Sequence, residues 1–330
     1  MNNFELRNRM TIFLPGAVIG LPILSEEDEQ NIPEFALKHN TDFISASFVR
    51  KASDVEYIRT VLANHDSNCR IMAKIENHEG LHNFEEILAE ADGIILSRNS
   101  MAMEMSPEKV LIAQKWIVEK CNLAAKPVFI HQQLLESMVR RNRPTRHEAA
   151  DITNAVLDGV DGFLLDIETS EGEYPVECIQ QLVKCANEAE KLLDAKRQFN
   201  DIKMYSPAPY GTAESVACAS VQAVLDLKVD MIVVLTETGK LARLVAKYKP
   251  SVPVICCSQN DFVVQTMAIQ RGITGVLASE EMDMDQAVLH AIQEAKKAKL
   301  CIGGAKVVSI TGTNEDTPEE TNIMKIMNAE

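Results

Sequence analysis

A chain of 330 residues predicts about two domains at roughly 100–200 residues each, with enough length to bury a sizeable core. Hydrophobic residues make up 46% and charged residues 25%, which is ordinary for a globular protein and excludes disordered and fibrous classes. With 33 basic against 48 acidic residues the net charge is −15, a field that repels phosphate backbones and anionic lipid, so neither nucleic acid nor a membrane surface is an expected partner.

The chain opens on MNNFELRNRM, without the apolar stretch of a signal peptide, and no run reaches the 18 or so apolar residues of a membrane span. From there short apolar runs alternate with amphipathic segments. Thr41–Phe48, Arg70–Lys74, Gly93–Leu96, Lys126–Ile130 and Gly162–Leu165 read as buried parallel strands. Helix starts are marked by Ser25 before an acidic turn, by Ser53-x-x-Glu56 and Thr145-x-x-Glu148 as capping boxes, and by Ser106 before Pro107. Val110, Ala113, Ile117 and Cys121 form one helical stripe, Ala149, Ile152 and Val156 another, and Gly159 is placed to stop the second helix. Consecutive β-α units imply parallel strands with right-handed crossovers.

A long polar helix is predicted over Val176–Gln198, then a break at Phe199–Gly211 that marks a domain boundary. A second α/β set follows. Its helices are Ala213–Leu227, Lys240–Tyr248, Phe262–Arg271 and Met284–Lys297; its strands are Met231–Thr236, Val254–Cys257, Gly275–Leu277 and Ala305–Thr311. The last 18 residues, with NEDTPEE at 314–320, read as a polar loop and tail. The 8 cysteines form no C-x-x-C pair and read as reduced thiols of a cytoplasmic protein. Cys256-Cys257 at a strand end reads as buried structure rather than a redox pair.

Four strand ends in the first half carry polar side chains: Lys74-Ile75-Glu76, Arg98-Asn99-Ser100, His131-Gln132-Gln133 and Asp166-Ile167-Glu168-Thr169. In a barrel of parallel strands such ends line the ligand-binding face. Lys74 and Glu76, two apart on a strand, point the same way. An ammonium beside a carboxylate can stabilise a developing oxyanion and hold a metal; it can equally be a plain ion pair. His131 has the chemistry to titrate in such a pocket, against the plainer reading of a tolerated rim histidine. Thr236-Glu237-Thr238-Gly239-Lys240 is a strand-to-helix turn able to cradle a phosphate, or an ordinary β-α turn.

Taken together, several motifs resemble the pyruvate kinase family. They are Lys74-Ile75-Glu76-Asn77-His78-Glu79-Gly80, Leu135-Glu136-Ser137-Met138, Arg143-Pro144-Thr145-Arg146 and Asn154-Ala155-Val156-Leu157-Asp158-Gly159. Leu14-Pro15-Gly16, Ala46–Val55 and Glu168-Thr169-x-x-Gly172-x-Tyr174-Pro175 add to them. The resemblance runs from about residue 10 to the C-terminus. It implies the last five strands of a (β/α)8 barrel followed by a C-terminal α/β domain with a mainly parallel sheet. The expected divisions are 1–24, a remnant of the family's inserted β-domain and its linker; 25–198, an incomplete barrel; and 199–330, the C-terminal domain.

The resemblance also assigns roles. Lys74 matches the lysine that stabilises the phosphoryl group in flight, and Glu76 a divalent-metal ligand. The second metal carboxylate, the aspartate of A-R-G-D-L-G, falls at Ser100, and the glycines that shape the substrate-carboxylate turn fall at Asn99 and Ala102. Gln132 stands at the catalytic threonine, so Asn99, Ser100 and Gln132 occupy substrate-binding positions. Thr236, Thr238 and Gly239 match a sugar-phosphate effector loop, whose basic partner loop is here the acidic Asn314–Glu320. Mg2+ binding is therefore expected to be weak, and the family's K+ ligands and ATP-binding arginine lie in a part without counterpart here. The family substrates are phosphoenolpyruvate and ADP, giving pyruvate and ATP. The expectation is a catalytically impaired member in the cytoplasm, oligomeric with itself or with pyruvate kinase subunits. The alternatives are a non-catalytic paralogue that binds or regulates full-length subunits, and an incomplete reading of a longer chain.

Overall fold

The computed structural model describes residues 12–312 and 321–329. Residues 12–24 form neither helix nor strand and are tied down by Arg50, which donates to the carbonyls of Ile19 and Leu21. Ser25 then closes a capping box on α1 (Glu26–Asn31). The first half continues as β1 (Phe43–Ala46), α2 (Ala52–Ala63), β2 (Arg70–Ile75), α3 (His78–His82), α4 (Phe84–Glu90), β3 (Gly93–Ser97), α5 (Arg98–Glu104), α6 (Pro107–Leu123), β4 (Val128–His131), α7 (Arg146–Asp158), β5 (Gly162–Leu164), α8 (Ile167–Ser170) and α9 (Pro175–Glu190). The five strands form one sheet in sequence order, every neighbouring pair parallel.

Alternation along these strands sorts side chains onto two unlike faces. Ile71, Ala73, Ile75, Ile94, Leu96, Val128 and Ile130 share one core with Ile58 of α2, Phe84 of α4, Ile117 of α6 and Ile152 of α7. Lys74, Ser97 and His131 are on the opposite face. The helices therefore cover one side of the sheet, and the polar ends of the strands belong to the other.

The second half comprises α10 (Ala195–Tyr205), α11 (Thr212–Leu227), β6 (Met231–Leu235), α12 (Lys240–Lys247), β7 (Val254–Ser258), α13 (Asp261–Thr266), β8 (Ile273–Leu277), α14 (Met284–Lys297), β9 (Lys306–Gly312) and β10 (Thr321–Asn328). Its sheet order is β10-β9-β6-β7-β8, with only β10 antiparallel. Both faces are covered. Ile232, Val234, Val254 and Cys256 pack with Val221, Leu241, Val245 and Phe199; Met231, Val233, Ile255 and Cys257 pack with Val288, Ala291 and Ile292 of α14.

Four expectations are corrected. The long helix over 176–198 is two helices: α9 ends at Glu190, and Asp194 caps α10 by accepting from Arg197 N. The break expected at 199–211 is therefore mostly α10, which carries Phe199 into the second core. Ser53 closes no capping box, because helix α2 begins earlier, at Ala52, and Asp54 instead accepts from Arg50 N at 2.9 Å. The C-terminal tail contains β10, paired with β9; the acidic loop at 314–320 lies outside the described residues. The box at Thr145 and the left-handed stop at Gly159 (φ 99°) form as expected.

Asp161 joins the two halves. Its fully buried carboxylate accepts from Val128 N at 3.0 Å within the first sheet, and from Gln270 Nε2 at 3.0 Å and Arg271 N at 3.2 Å across the boundary. Lys249 Nζ lies 3.5 Å away and also donates to the Gly159 carbonyl. Burial pushes the Lys249 ammonium below its ordinary pKa, and Asp161 opposes that shift.

Candidate functional site

The C-terminal ends of β2 to β5 bring the polar side chains of the first sheet together. Ser97 is level with His131, and His131 with Leu164, so these strand ends form one row. Lys74 is the last residue of β2 on this face, and Glu76 follows on the same side. Lys74 Nζ is 3.4 Å from Glu76 Oε1.

Glu76 is buried, and protein donors surround it. Its Oε2 accepts from Phe48 N at 2.7 Å, a contact made possible because Phe48 turns the chain beyond β1 in the left-handed region (φ 54°). Its Oε1 faces both Lys74 and the Ser100 hydroxyl, which donates at 3.4 Å. The loop after Glu76 is held close by Gly80, where an added Cβ would lie 2.5 Å from the Val49 carbonyl oxygen.

From Ser100 a chain of neutral groups crosses the strand ends. The Ser97 hydroxyl lies 3.2 Å from Ser100 Oγ and donates to Gln132 Oε1 at 2.7 Å. Gln132 Nε2 donates to Asp166 Oδ2 at 3.3 Å, and the same oxygen is 3.8 Å from His131 Nε2. Burial, and secondarily the Lys74 ammonium, hold the His131 imidazole below its ordinary pKa, against the pull of Asp166, Glu76 and Glu168. These surroundings favour the neutral imidazole.

Two residues that sequence reasoning left in the background position this chain. Gln132 (φ 66°) and Gln133 (φ 52°) are both left-handed, a conformation that costs about 1–2 kcal/mol per residue. Buried Arg98 holds the turn by donating to both of their carbonyls, and Asp151 fixes the guanidinium at 2.6 Å. Glu168 is fully buried, accepting from Leu135 N at 3.2 Å and Asp166 N at 2.8 Å. It braces the loops and does not reach for a ligand. A charged residue directly after an apolar strand was the available signal for Arg98.

Lys74, Glu76, Ser100 and Gln132 thus meet at one place. Asn99 does not: it is exposed and accepts from Gln133 Nε2 at 3.4 Å on the outer side. Thr236, Thr238 and Gly239 belong to the second sheet. There the turn supplies its own donors and acceptors, Gly239 N donating to Thr236 Oγ1 at 3.1 Å and Lys240 N to Thr238 Oγ1 at 3.3 Å. The adjoining cavity of about 280 Å³ is lined by Thr236, Glu237, Gln259, Glu280 and Asp283, with no lysine or arginine in its wall among the described residues.

The donor set does not fit a divalent cation held by the protein. Among the described residues no three His, Cys, Asp or Glu side chains come together as a metal site. Among the described residues Glu76 is the one carboxylate in contact with Lys74 and Ser100, and both its oxygens already have protein donors. A hard cation needs acidic oxygens in place of an ammonium and a serine hydroxyl.

Family models for the pyruvate kinase barrel domain and the pyruvate kinase alpha/beta domain match residues 1–179 and 214–327. Pyruvate kinase of Dictyostelium discoideum is 42% identical over 329 residues, covering 99% of this chain and 65% of that protein. Pyruvate kinase of Eimeria tenella is 40% identical over 327 residues, covering 99% and 62%. A crystal structure of a pyruvate kinase from Cryptosporidium parvum superposes with a TM-score of 0.92 at 36% identity, over 96% of this chain and 64% of that one. Another, of the Cryptosporidium parvum enzyme in complex with ADP, gives 0.89 at 36% identity, over 96% and 65%. The chain thus spans just under two thirds of the length of these relatives.

Proposed function

The chain belongs to the pyruvate kinase family, and from that premise we propose that it is a pyruvate-kinase-like protein whose phosphoryl transfer from phosphoenolpyruvate to ADP is very low or lost. One observation carries this reading: the Ser100 hydroxyl faces Glu76 where the family has a second metal carboxylate. In phosphoryl transfer the metal ions and the positioning of groups supply nearly all the catalysis. Lys74 and Glu76 remain, so phosphoenolpyruvate or pyruvate and ADP or ATP remain the ligand classes of the site. Gln132 at the threonine position removes a hydroxyl, and its amide is engaged by Ser97 and Asp166. We read the five parallel strands as the last five of a (β/α)8 barrel. Mg2+ binding is weak on this reading, and K+ has no matched ligands in the chain. The eight free cysteines suit the reducing cytoplasm.

A second reading is a non-catalytic paralogue that binds full-length pyruvate kinase subunits or its own copies. The exposed apolar stripe Val176, Ile179 and Val183 along α9 favours it. A lactate-dehydrogenase-coupled assay tests the first reading. We expect no measurable pyruvate formation; turnover within a hundredfold of an ordinary kinase, about 1–100 per second, refutes impairment. Light scattering tests the second, and a monodisperse monomer that captures no full-length subunit contradicts it.

A further inference from the structure

Three helices enclose a groove that the strand-end chemistry does not use. On one wall α6 contributes Glu119, Asn122 and Leu123, spaced to share a single face, and α7 ends beside them at Asp158. The other wall is α10, with Asp201, Ile202 and Tyr205 on one face. The space between them is about 440 Å³, and its mouth is open, since Tyr205 is 60% exposed. Because α10 carries Phe199 into the second core, the groove takes one wall from each half.

Asn122 shows that the groove is built for a donor. It is 9% exposed and lines the cavity, yet its side chain makes no hydrogen bond among the described residues. Buried amides in folded proteins almost always have a partner. Its Nδ2 packs on Gly159, where an added Cβ would stand 2.8 Å away. Oδ1 is therefore the end that a ligand reaches.

Charge around the groove selects a cation. Glu119, on the turn before Asn122, is exposed and has no ion-pair partner among the described residues. Asp201 faces Arg197 at 3.8 Å, in a pair 80% and 60% exposed that contributes little. Both α6 and α7 end here, turning the negative ends of their dipoles toward the space. The second basic residue of the wall, Lys249, is committed elsewhere, to Asp161 and the Gly159 carbonyl. Leu123 and Ile202 add an apolar surface to each wall.

We propose that this groove binds a linear aliphatic diamine. One ammonium donates to Asn122 Oδ1 and pairs with Glu119, the methylene chain lies on Leu123 and Ile202, and the second ammonium pairs with Asp201. The site is separate from the strand ends and does not depend on whether phosphoryl transfer survives there. A ligand that touches both α6 and α10 ties the two halves together, so binding should also raise the melting temperature.

Calorimetry with 1,5-diaminopentane, 5-aminopentan-1-ol and magnesium, at about 0.15 M salt, tests this. The diamine should bind one per chain, at least about tenfold more tightly than the amino alcohol, which lacks one charge-assisted hydrogen bond. Magnesium should not compete. Asp201→Asn should bring the diamine down to the amino-alcohol level while leaving the amino alcohol unchanged. Asn122→Leu and Glu119→Gln should each weaken both ligands. Should Asn122→Leu not fold, the two variants at exposed positions, Glu119→Gln and Asp201→Asn, decide. Equal binding of diamine and amino alcohol overturns the grip by two carboxylates. Binding that magnesium competes away, or that Glu119→Gln and Asp201→Asn leave unaltered, is loose counterion association and overturns the site. No binding of either amine at millimolar concentration overturns it as well.

Discussion

Ser100→Asp is the change that most directly restores what the site lacks, and its first effect is on stability. A second carboxylate would stand no farther from Glu76 than the 3.4 Å now separating Ser100 Oγ and Glu76 Oε1. At an effective dielectric of about 20 two such charges repel by about 5 kcal/mol. Lys74, at the same distance from Glu76, offsets part of this, and protonation of one carboxyl relieves more. A net loss of about 2 kcal/mol at pH 8 corresponds to a fall of roughly 4–8 °C in melting temperature for a domain of this size. Manganese should reverse the loss, because a ligand at a hundred times its Kd returns about 2.7 kcal/mol. Scanning calorimetry of parent and variant, in EDTA and in manganese, reads both effects. A variant as stable as the parent in EDTA, or a parent stabilised by manganese as much as the variant, refutes the placement of Ser100.

Adding Gln132→Thr to that variant should leave the manganese response in place without brisk turnover of phosphoenolpyruvate; the coupled assay checks it. Asp161→Ala strands Lys249 in a buried boundary and should lower stability by about 3–5 kcal/mol in denaturant titrations. Sugar bisphosphate at millimolar concentration should not raise the melting temperature, given the carboxylates around the Thr236 turn; a clear upward shift contradicts that reading. The His131 pKa is lowered on folding from 6.5, so the unfolded chain binds more protons and stability should fall as pH drops below 6.5 toward the folded value. His131→Ala should flatten that limb in melts recorded across this range.

Much of the fold was legible in the sequence because its signals are local. The apolar runs bounded strands to within about two residues, and the two-residue spacing of Lys74 and Glu76 placed them on one side of β2. The motifs then supplied the roles proposed for Ser100 and Gln132. What stayed hidden depended on partners far along the chain. The Ser97–Gln132 bond joins residues 35 apart, and no spacing rule points to it. Arg98 reads as a rim charge, yet it turns inward because the left-handed Gln132-Gln133 carbonyls need a donor. The helix over 176–198 looked continuous because its apolar face persists while its packing partner changes, from the first core at Leu182 and Cys185 to the second at Phe199. The Asp194 cap marked the break and was the signal to weigh. β10 was masked by the acidic segment before it and by its exposed Met324 and Ile326, which read poorly as a buried strand.

Electron paramagnetic resonance of manganese titrated into the parent protein, with Ser100→Asp alongside, tests the central proposal that a serine hydroxyl stands in place of the family's second metal carboxylate. The account predicts a free-manganese signal undiminished by the parent, with or without phosphoenolpyruvate, and a signal quenched by the variant. Quenching by the parent at micromolar manganese would contradict it.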